Sequence, residues 1–171
     1  MNPLFTTTRL IIFEPSLSDF DNLYTLQSNS EVMNFIGNGK RDKNEVKVGL
    51  ENAINHFQKH QFSLGSVFVK DSHEFIGRAG LIYFNYDDNQ SEVEVAYALL
   101  PQYWGKGYAT EITTSLIQVG FRNLKLQKLI AVVHPGNTSS QNVLIKCGMS
   151  HAGKINYWNK EIMKFEITNK V

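Results

Sequence analysis

Cysteine is nearly absent from this chain. Cys147 stands alone among 171 residues, which excludes a disulfide framework and a cysteine metal cluster. An excess of one charge is absent too: 17 Lys and Arg against 16 Asp and Glu give a formal net charge of +1. The cations are scattered, so no basic face marks a nucleic-acid partner. The one local basic run, Lys40-Arg41-Asp42-Lys43, is diluted by Asp42 and Glu45. No apolar run has the length of a membrane span. Met1–Thr6 carries neither the basic start nor the apolar stretch of a signal peptide. Repeats, low-complexity tracts and linkers are also missing. What remains is 42% hydrophobic and 19% charged residues, ordinary values for a folded chain. One domain over residues 1–171, in the cytoplasm, is the expectation.

The most informative stretch runs from Val93 to Glu111. It begins as a β-branched, apolar strand and ends at Pro101, which cannot donate to a sheet ladder. Gln102-Tyr103-Trp104-Gly105-Lys106-Gly107 is a glycine-bearing turn. From Tyr108 to Phe121 apolar residues recur at helical spacing (Ala109, Ile112, Leu116, Val119), with Thr110, Glu111, Thr114 and Gln118 opposite. A strand feeding a glycine turn at a helix N-terminus suits an anion: the first helical N–H groups lack partners and the dipole is positive there. Glycine lets the backbone approach a phosphate or pyrophosphate closely.

Along the rest of the chain, Thr8–Glu14 reads as the first strand, and Ser16, supported by Asp19, caps a helix through Leu17, Phe20, Leu23 and Leu26. Ser30–Gly39 holds a helical turn and a loop. Asn44–His60 is an amphipathic helix with Val48, Ala53, Ile54 and Phe57 inward, and its His56–His60 pair is expected at a solvated end without an acidic partner. Phe62–Val69 and Phe75–Tyr83 form antiparallel strands joined by the 70–74 turn. Lys128–His134 is a strand, Thr138–Cys147 a short helix behind Asn137, and a hairpin (Met149–Trp158, Glu161–Thr168) turns at Asn159-Lys160. This order predicts an α/β (α+β) fold. Its sheet is mixed and mostly antiparallel, with about seven strands flanked by about four helices.

Two familiar phosphate motifs do not fit. A dinucleotide fingerprint wants glycine where Thr110 stands and an acid near Gln127 and Lys128; a Walker loop wants Ser or Thr where Tyr108 follows Gly107. The pattern Gln/Arg-x-x-Gly-x-Gly/Ala is met by Gln102, Gly105 and Gly107. It resembles the acyl-CoA pyrophosphate loop of GNAT N-acetyltransferases. The longer string Pro101-Gln102-Tyr103-Trp104-Gly105-Lys106-Gly107-Tyr108-Ala109-Thr110-Glu111 is similar to the RimJ/RimL-type branch, as are Thr-x-Arg-Leu near the start and the segment 137–149. The resemblance covers nearly the whole chain.

That resemblance implies a GNAT fold with splayed central strands and acetyl-CoA as co-substrate. It implies direct acetyl transfer to an amine acceptor, with no metal, nucleic-acid or membrane partner. Gln102, Trp104, Gly105, Lys106 and Gly107, continuing into Tyr108, Ala109 and Thr110, would hold the pyrophosphate. Backbone groups of Ala98, Leu99 and Leu100 would meet the pantetheine arm; ordinary buried strand is the other reading of those three. Asn137 is either a helix cap or a ligand of the same arm. Family members place a proton-donating tyrosine where Leu144 stands here, so Ser140 is the candidate donor, against a plain helix serine.

Glu94 is the candidate base, against a solvated carboxylate at a strand margin; alternation puts Glu92, Glu94, Ala96 and Ala98 on one face of the strand. Asp87 and Asp88 read as turn formers, His134 as a structural histidine and Cys147 as a small buried hydrophobe. The acceptor would enter between Phe35–Gly39 and the Tyr157-Trp158-Asn159 tip, past Tyr83, Phe84 and Tyr86. Neutralising a lysine amine at pH 7 costs about 4.6 kcal/mol and an α-amine about 1.1 kcal/mol. One carboxylate base therefore suits an α-amine, and the resemblance to the RimJ/RimL-type branch implies a protein or peptide N-terminus. A small-molecule amine (polyamine, antibiotic or amino acid) and a non-catalytic acyl-CoA-binding domain are the alternatives, and a homodimer through the terminal hairpin fits the pattern.

Overall fold

The computed structural model describes residues 2–170. The chain opens with β1 (Pro3–Thr6) and β2 (Leu10–Phe13), which pair antiparallel. A capping box then starts the first helical segment: Asp19 accepts the Ser16 N–H at 2.8 Å while the Ser16 hydroxyl accepts from the next turn. It leads into α1 (Phe20–Gln27), followed by the single turn α2 (Ser30–Met33) and the long α3 (Lys43–His60). A second capping box, Asp42 with Glu45 at 2.9 Å in both directions, fixes the start of α3.

A meander of β3 (Leu64–Val69), β4 (Phe75–Tyr83) and β5 (Val93–Leu99) follows. Next come α4 (Tyr108–Gln118), prolonged by one π turn at Val119–Asn123, then β6 (Lys128–Val133) and α5 (Thr138–Lys146). The hairpin of β7 (Ser150–Tyr157) and β8 (Lys160–Thr168) completes the order. Its two-residue turn sits on Trp158 and Asn159, both left-handed at φ 56° and 55°, one residue earlier than the sequence predicts. Paired left-handed residues match the twist of a two-residue hairpin.

The sheet has eight strands in the order β1-β2-β3-β4-β5-β6-β8-β7. That is one more than expected, because Pro3–Thr6 adds to the edge beside β2. A proline at the start of a strand is tolerated at an edge, where no ladder donor is needed. All neighbours are antiparallel except β5 and β6. Those two meet at a single pair, Glu94 with Ile130, whereas β4 follows β5 from Tyr83–Val93 to Gly77–Leu99. Beyond Glu94 the parallel strands part, so the central sheet is splayed.

Each face of the sheet carries its own core. Ile112, Leu116 and Ile117 of α4 and Leu144 of α5 pack with Val93, Val95 and Leu99 on one side. Leu23, Leu26, Val32, Met33, Val46 and Leu50 of α1–α3 pack with Ala98 and Leu100 on the other. Strand alternation thus delivers the two faces of β5 as predicted. In α3 the inward set is Val46, Leu50, Ala53 and His56; Val48 is 47% exposed and Leu17 67%, so both face water rather than the core.

The His56–His60 pair is also corrected. The end of α3 packs on β4 rather than projecting into water. The buried His56 donates from Nδ1 to Phe62 O (2.7 Å) and accepts the Tyr83 N–H on Nε2 (3.1 Å), and burial pushes its pKa down. His60 Nε2 lies 2.8 Å from Asp88 Oδ2, an acidic partner after all. No helix among the described residues is long and apolar enough to cross a membrane.

Close approach of β3 and β4 depends on Gly80, where an added Cβ would lie 1.9 Å from Ser63 O. The obstacle is backbone and cannot swing aside. Gly80→Ala is expected to cost about 1–3 kcal/mol, read as a lower urea midpoint at unchanged slope.

Candidate active site

The anion loop is built by backbone conformation. Gly105 and Gly107 have φ of 71° and 79°, the left-handed region that favours glycine. A Cβ at Gly105 would meet nothing within 4 Å, so the requirement there is conformational and the loop surface is open. No side chain caps α4, which leaves the N–H groups of Tyr108, Ala109 and Thr110 directed at the loop. These are the groups that could hold a pyrophosphate.

What fixes the loop was not legible in its own sequence. Arg9, at the start of β2, donates from Nη1 to Lys106 O (3.0 Å) and from Nε to Glu111 Oε2 (2.7 Å). Its guanidinium also lies 4.3 Å over the Tyr108 ring. Glu111 further accepts the Arg9 N–H (2.7 Å) and the Thr7 hydroxyl. Burial alone would push Glu111 up, but these hydrogen bonds outweigh it and hold its carboxyl below the usual range. Arg9 and Glu111, a hundred positions apart, clasp the loop to the sheet.

Past the loop, the backbone of β5 is divided between its two neighbours. Leu100 N–H goes to Ile76 O at 2.8 Å, and the Ala98 carbonyl points at Gly77 on β4. By alternation the main-chain groups of Val95, Tyr97 and Leu99 turn toward the gap left by β6. Leu99 O is taken by the Trp104 indole N–H at 2.7 Å. Of the three residues predicted to offer backbone groups, Leu99 turns its main chain toward the gap by alternation, while the Leu100 N–H is taken by β4.

The gap opens a cleft of about 300 Å³ that passes through the sheet between β5 (Val95–Ala98) and β6 (Ala131, Val132). On the α5 side it meets Ser140 and Leu144. Asn137 caps α5 by accepting the Ser140 N–H at 3.1 Å, so the capping reading holds for its carbonyl oxygen. The Ser140 and Tyr97 hydroxyls share a hydrogen bond of 2.8 Å. Burial pushes Tyr97 up to about 12, which keeps the phenol protonated. Tyr97 escaped the sequence reading because alternation marked it only as an inward residue.

On the α1–α3 side the cleft is lined by Glu94, Arg78, Arg41, Tyr86, Tyr157 and Trp158. Glu94 is 8% exposed and takes part in none of the ion pairs among the described residues. Desolvation raises its pKa to about 8, against a smaller downward pull from Arg78. It is a desolvated carboxyl at the point where the strands part, not a solvated one at a margin. The other acids are engaged elsewhere: Glu92 binds Lys128 (3.1 Å) and Lys164 (2.6 Å), Asp88 binds Lys59 and His60, and Asp87 accepts from Asn89 within its turn.

His134 Nδ1 accepts from Gly136 N–H, and the half-buried Cys147 sulfur lies against Thr110 O at 3.7 Å. Tyr83 packs on His56 and His60, and Phe84 packs on Tyr157. No group of three or more His, Cys, Asp or Glu among the described residues is placed to hold a metal ion.

Several known proteins are similar to this chain. A family model described as an acetyltransferase (GNAT) domain matches residues 9–150. The "uncharacterized N-acetyltransferase p20" of Bacillus licheniformis is 30% identical over 164 residues, covering 90% of this chain and 86% of that protein. Two solved structures share the fold at low identity. One is RimL, a ribosomal L7/L12 alpha-N-protein acetyltransferase in complex with coenzyme A (14% identity, TM-score 0.80, covering 98% of both chains). The other is spermidine N-acetyltransferase from Vibrio cholerae with CoA and spermine (19%, TM-score 0.76, covering 94% of this chain and 96% of that one).

The open loop predicts that Gly107→Trp abolishes acetyl-CoA binding in a calorimetric titration, and that Arg9→Ala weakens it with the loop sequence intact. A carboxyl whose pKa is raised on folding makes the folded state bind the extra proton. Stability should therefore fall as pH rises from about 4.5 to about 8 and level off above. The melting temperature of Glu94→Gln should lack that decline, so the variant should gain on the wild type most at pH 8.

Proposed function

From a chain that belongs to the GNAT acetyltransferase family, and is therefore an acyltransferase, we propose an acetyl-CoA-dependent N-acetyltransferase. It transfers the acetyl group directly to an α-amine, with a protein or peptide N-terminus as acceptor. The observation that carries this reading is Glu94: a carboxyl 8% exposed, with no ion-pair partner, at the mouth of the splayed strands. Family membership implies acetyl-CoA, which would supply an activated thioester. The open N–H groups at 108–110, the left-handed glycines and the gap beside Val95, Tyr97 and Leu99 fit its pyrophosphate and its arm.

The raised pKa of Glu94 is what suits it to this work. An ordinary glutamate would accept a proton from an α-ammonium of pKa 7.7–8.0 against a gap of roughly 3.5 units, or about 5 kcal/mol. At about 8 the transfer is close to balanced, where general-base catalysis is most effective. The ionised fraction of Glu94, which grows as pH approaches 8, takes the ammonium proton, and the freed amine attacks the acetyl carbonyl. Backbone N–H groups of β5 in the gap are placed to bind the oxyanion. As the carbon–sulfur bond breaks, the cationic nitrogen of the tetrahedral intermediate loses its second proton and Ser140 relays a proton to the departing thiolate, giving the amide and the CoA thiol. Tyr97 orients that hydroxyl and stays protonated, so the dyad covers the role that Leu144 cannot.

Glu94→Gln is expected to lower kcat/KM by about 10²–10⁴-fold and to remove the contribution of a group near 8 from its pH profile, with acetyl-CoA affinity retained. On matched peptides an α-amine should be acetylated in preference to a lysine side chain; a selectivity ratio favouring lysine would overturn the acceptor assignment.

A further inference from the structure

The acceptor side of the cleft carries two cations, Arg78 and Arg41, against a single carboxyl, Glu94. Arg78 lies on β4 opposite Ala98, and Glu94 lies opposite Ile82. Both point from the same face of the sheet, four positions apart and so roughly 13 Å along the strands. Arg41 reaches the cleft from the turn before α3, with Nη1 anchored on Gln27 Oε1 at 2.9 Å. The seven ion pairs among the described residues engage Arg9, Lys59, His60, Lys128, Lys154 and Lys164; Arg41 and Arg78 enter none of them. Arg78 is largely withdrawn from water, and a guanidinium so placed is costly without an anionic partner.

Asp19 shares a small neighbouring pocket with Arg78 but forms no ion pair with it. Asp88 and Glu92 are paired with other cations. Glu94, with its pKa raised to about 8, carries little negative charge at neutral pH. With two guanidinium groups against one carboxyl the cleft is net positive, and its remaining walls, Tyr86, Tyr157 and Trp158, are neutral. Across the opening the hairpin is strapped down, with Lys160 Nζ donating to Gly37 O at 3.0 Å and Tyr157 OH to Asn85 Oδ1 at 3.1 Å. That limits the space to a small group bearing the amine.

We propose that Arg78 and Arg41 form the binding site for a carboxylate on the acceptor, so that the acceptor is an amine with an acid group close by. Such an amine is either a free α-amino acid or a peptide beginning with Asp or Glu. Arg78 holds the acid through its planar fork, Arg41 adds a second positive charge, and the amine lies at Glu94. A polycationic acceptor meets the same two charges as repulsion. The inference rests on the acetyl-transfer reading above; it restricts the peptide acceptor to an acidic first residue and admits a free α-amino acid beside it.

The test is calorimetric titration of the CoA-saturated protein. The ligands are L-amino acids and their amides, amidated peptides starting with Asp or Glu against Asn or Gln, and spermidine. The acid form of at least one pair is expected to bind ten-fold or more tightly than its amide. Arg78→Gln should erase that advantage, Arg78→Lys should restore part of it, and Arg41→Gln should reduce it. Acetyl-CoA affinity should stay constant throughout. The amino-acid and peptide arms separate the two sources.

Equal binding of acids and amides, preference for spermidine, or no binding of any acid-bearing amine overturns the proposal. Turnover of amides or spermidine with no preference for acids removes it while leaving acetyl transfer standing. Discrimination in binding without any acetyl transfer upholds the carboxylate site and removes the transferase reading. Arg41→Gln, distant from the sheet core, provides the test should Arg78→Gln fail to fold.

Discussion

Everything distinctive about this fold follows from one interrupted pairing. β5 and β6 hold each other at Glu94 and Ile130 and nowhere beyond. A buried strand normally spends its main-chain groups on both neighbours. Here β4 satisfies one side of β5 along its length, and the other side is left facing a gap. The two cores resist closure from opposite faces, because α4 and α5 wedge one side and α1–α3 the other. A sheet that closed fully would bury these groups and have no passage; one that parted earlier would return Glu94 to water.

The same parting sets the chemistry of Glu94. Desolvation destabilises its charge, and the protein bears that as a loss of stability toward alkaline pH. In the proposed reaction that cost has a use, because a carboxyl titrating near an amine can exchange a proton with it cheaply. Stability and reactivity are thus opposed at a single atom pair, as expected where a strained or desolvated group is retained at a working site. The Tyr97–Ser140 pair, on the far side of the passage, is the neutral counterpart. Burial pushes its phenol up to about 12, so it stays protonated at neutral pH, which suits the donor role proposed for the pair.

The sequence made some of this legible and hid the rest for definite reasons. The glycine loop, the helix behind it and the division of β5 into two faces are local, set by turn chemistry and strand period, and they emerged with nearly correct bounds. The face of β5 on which Glu94 sits was legible for the same reason. Arg78 was hidden because the run Gly77-Arg78-Ala79-Gly80 reads as ordinary strand, and nothing local says that its side chain meets Arg41 and Tyr86 across a cleft. Tyr97 was hidden because its partner lies on α5. The Arg9–Glu111 clasp was hidden by its span. Pro3–Thr6 was passed over because its only support is β2. The buried His56 was misplaced because its acceptor, Phe62 O, and its donor, Tyr83 N–H, belong to other elements. Pairings across the sheet are where period and propensity run out.

The strand order carries a consequence for how the molecule is made. β8 follows every other strand in the chain, yet it is inserted between β6 and β7. Until residues 160–168 have emerged during synthesis, β6 has a bare edge of unpaired main-chain groups, rich in Leu, Ile and Val. Such edges recruit strands from other chains, and incomplete chains expose them longest. The interval between the birth of β6 and that of β8 is therefore this protein's window of vulnerability to aggregation, and a chaperone would find its best handhold there.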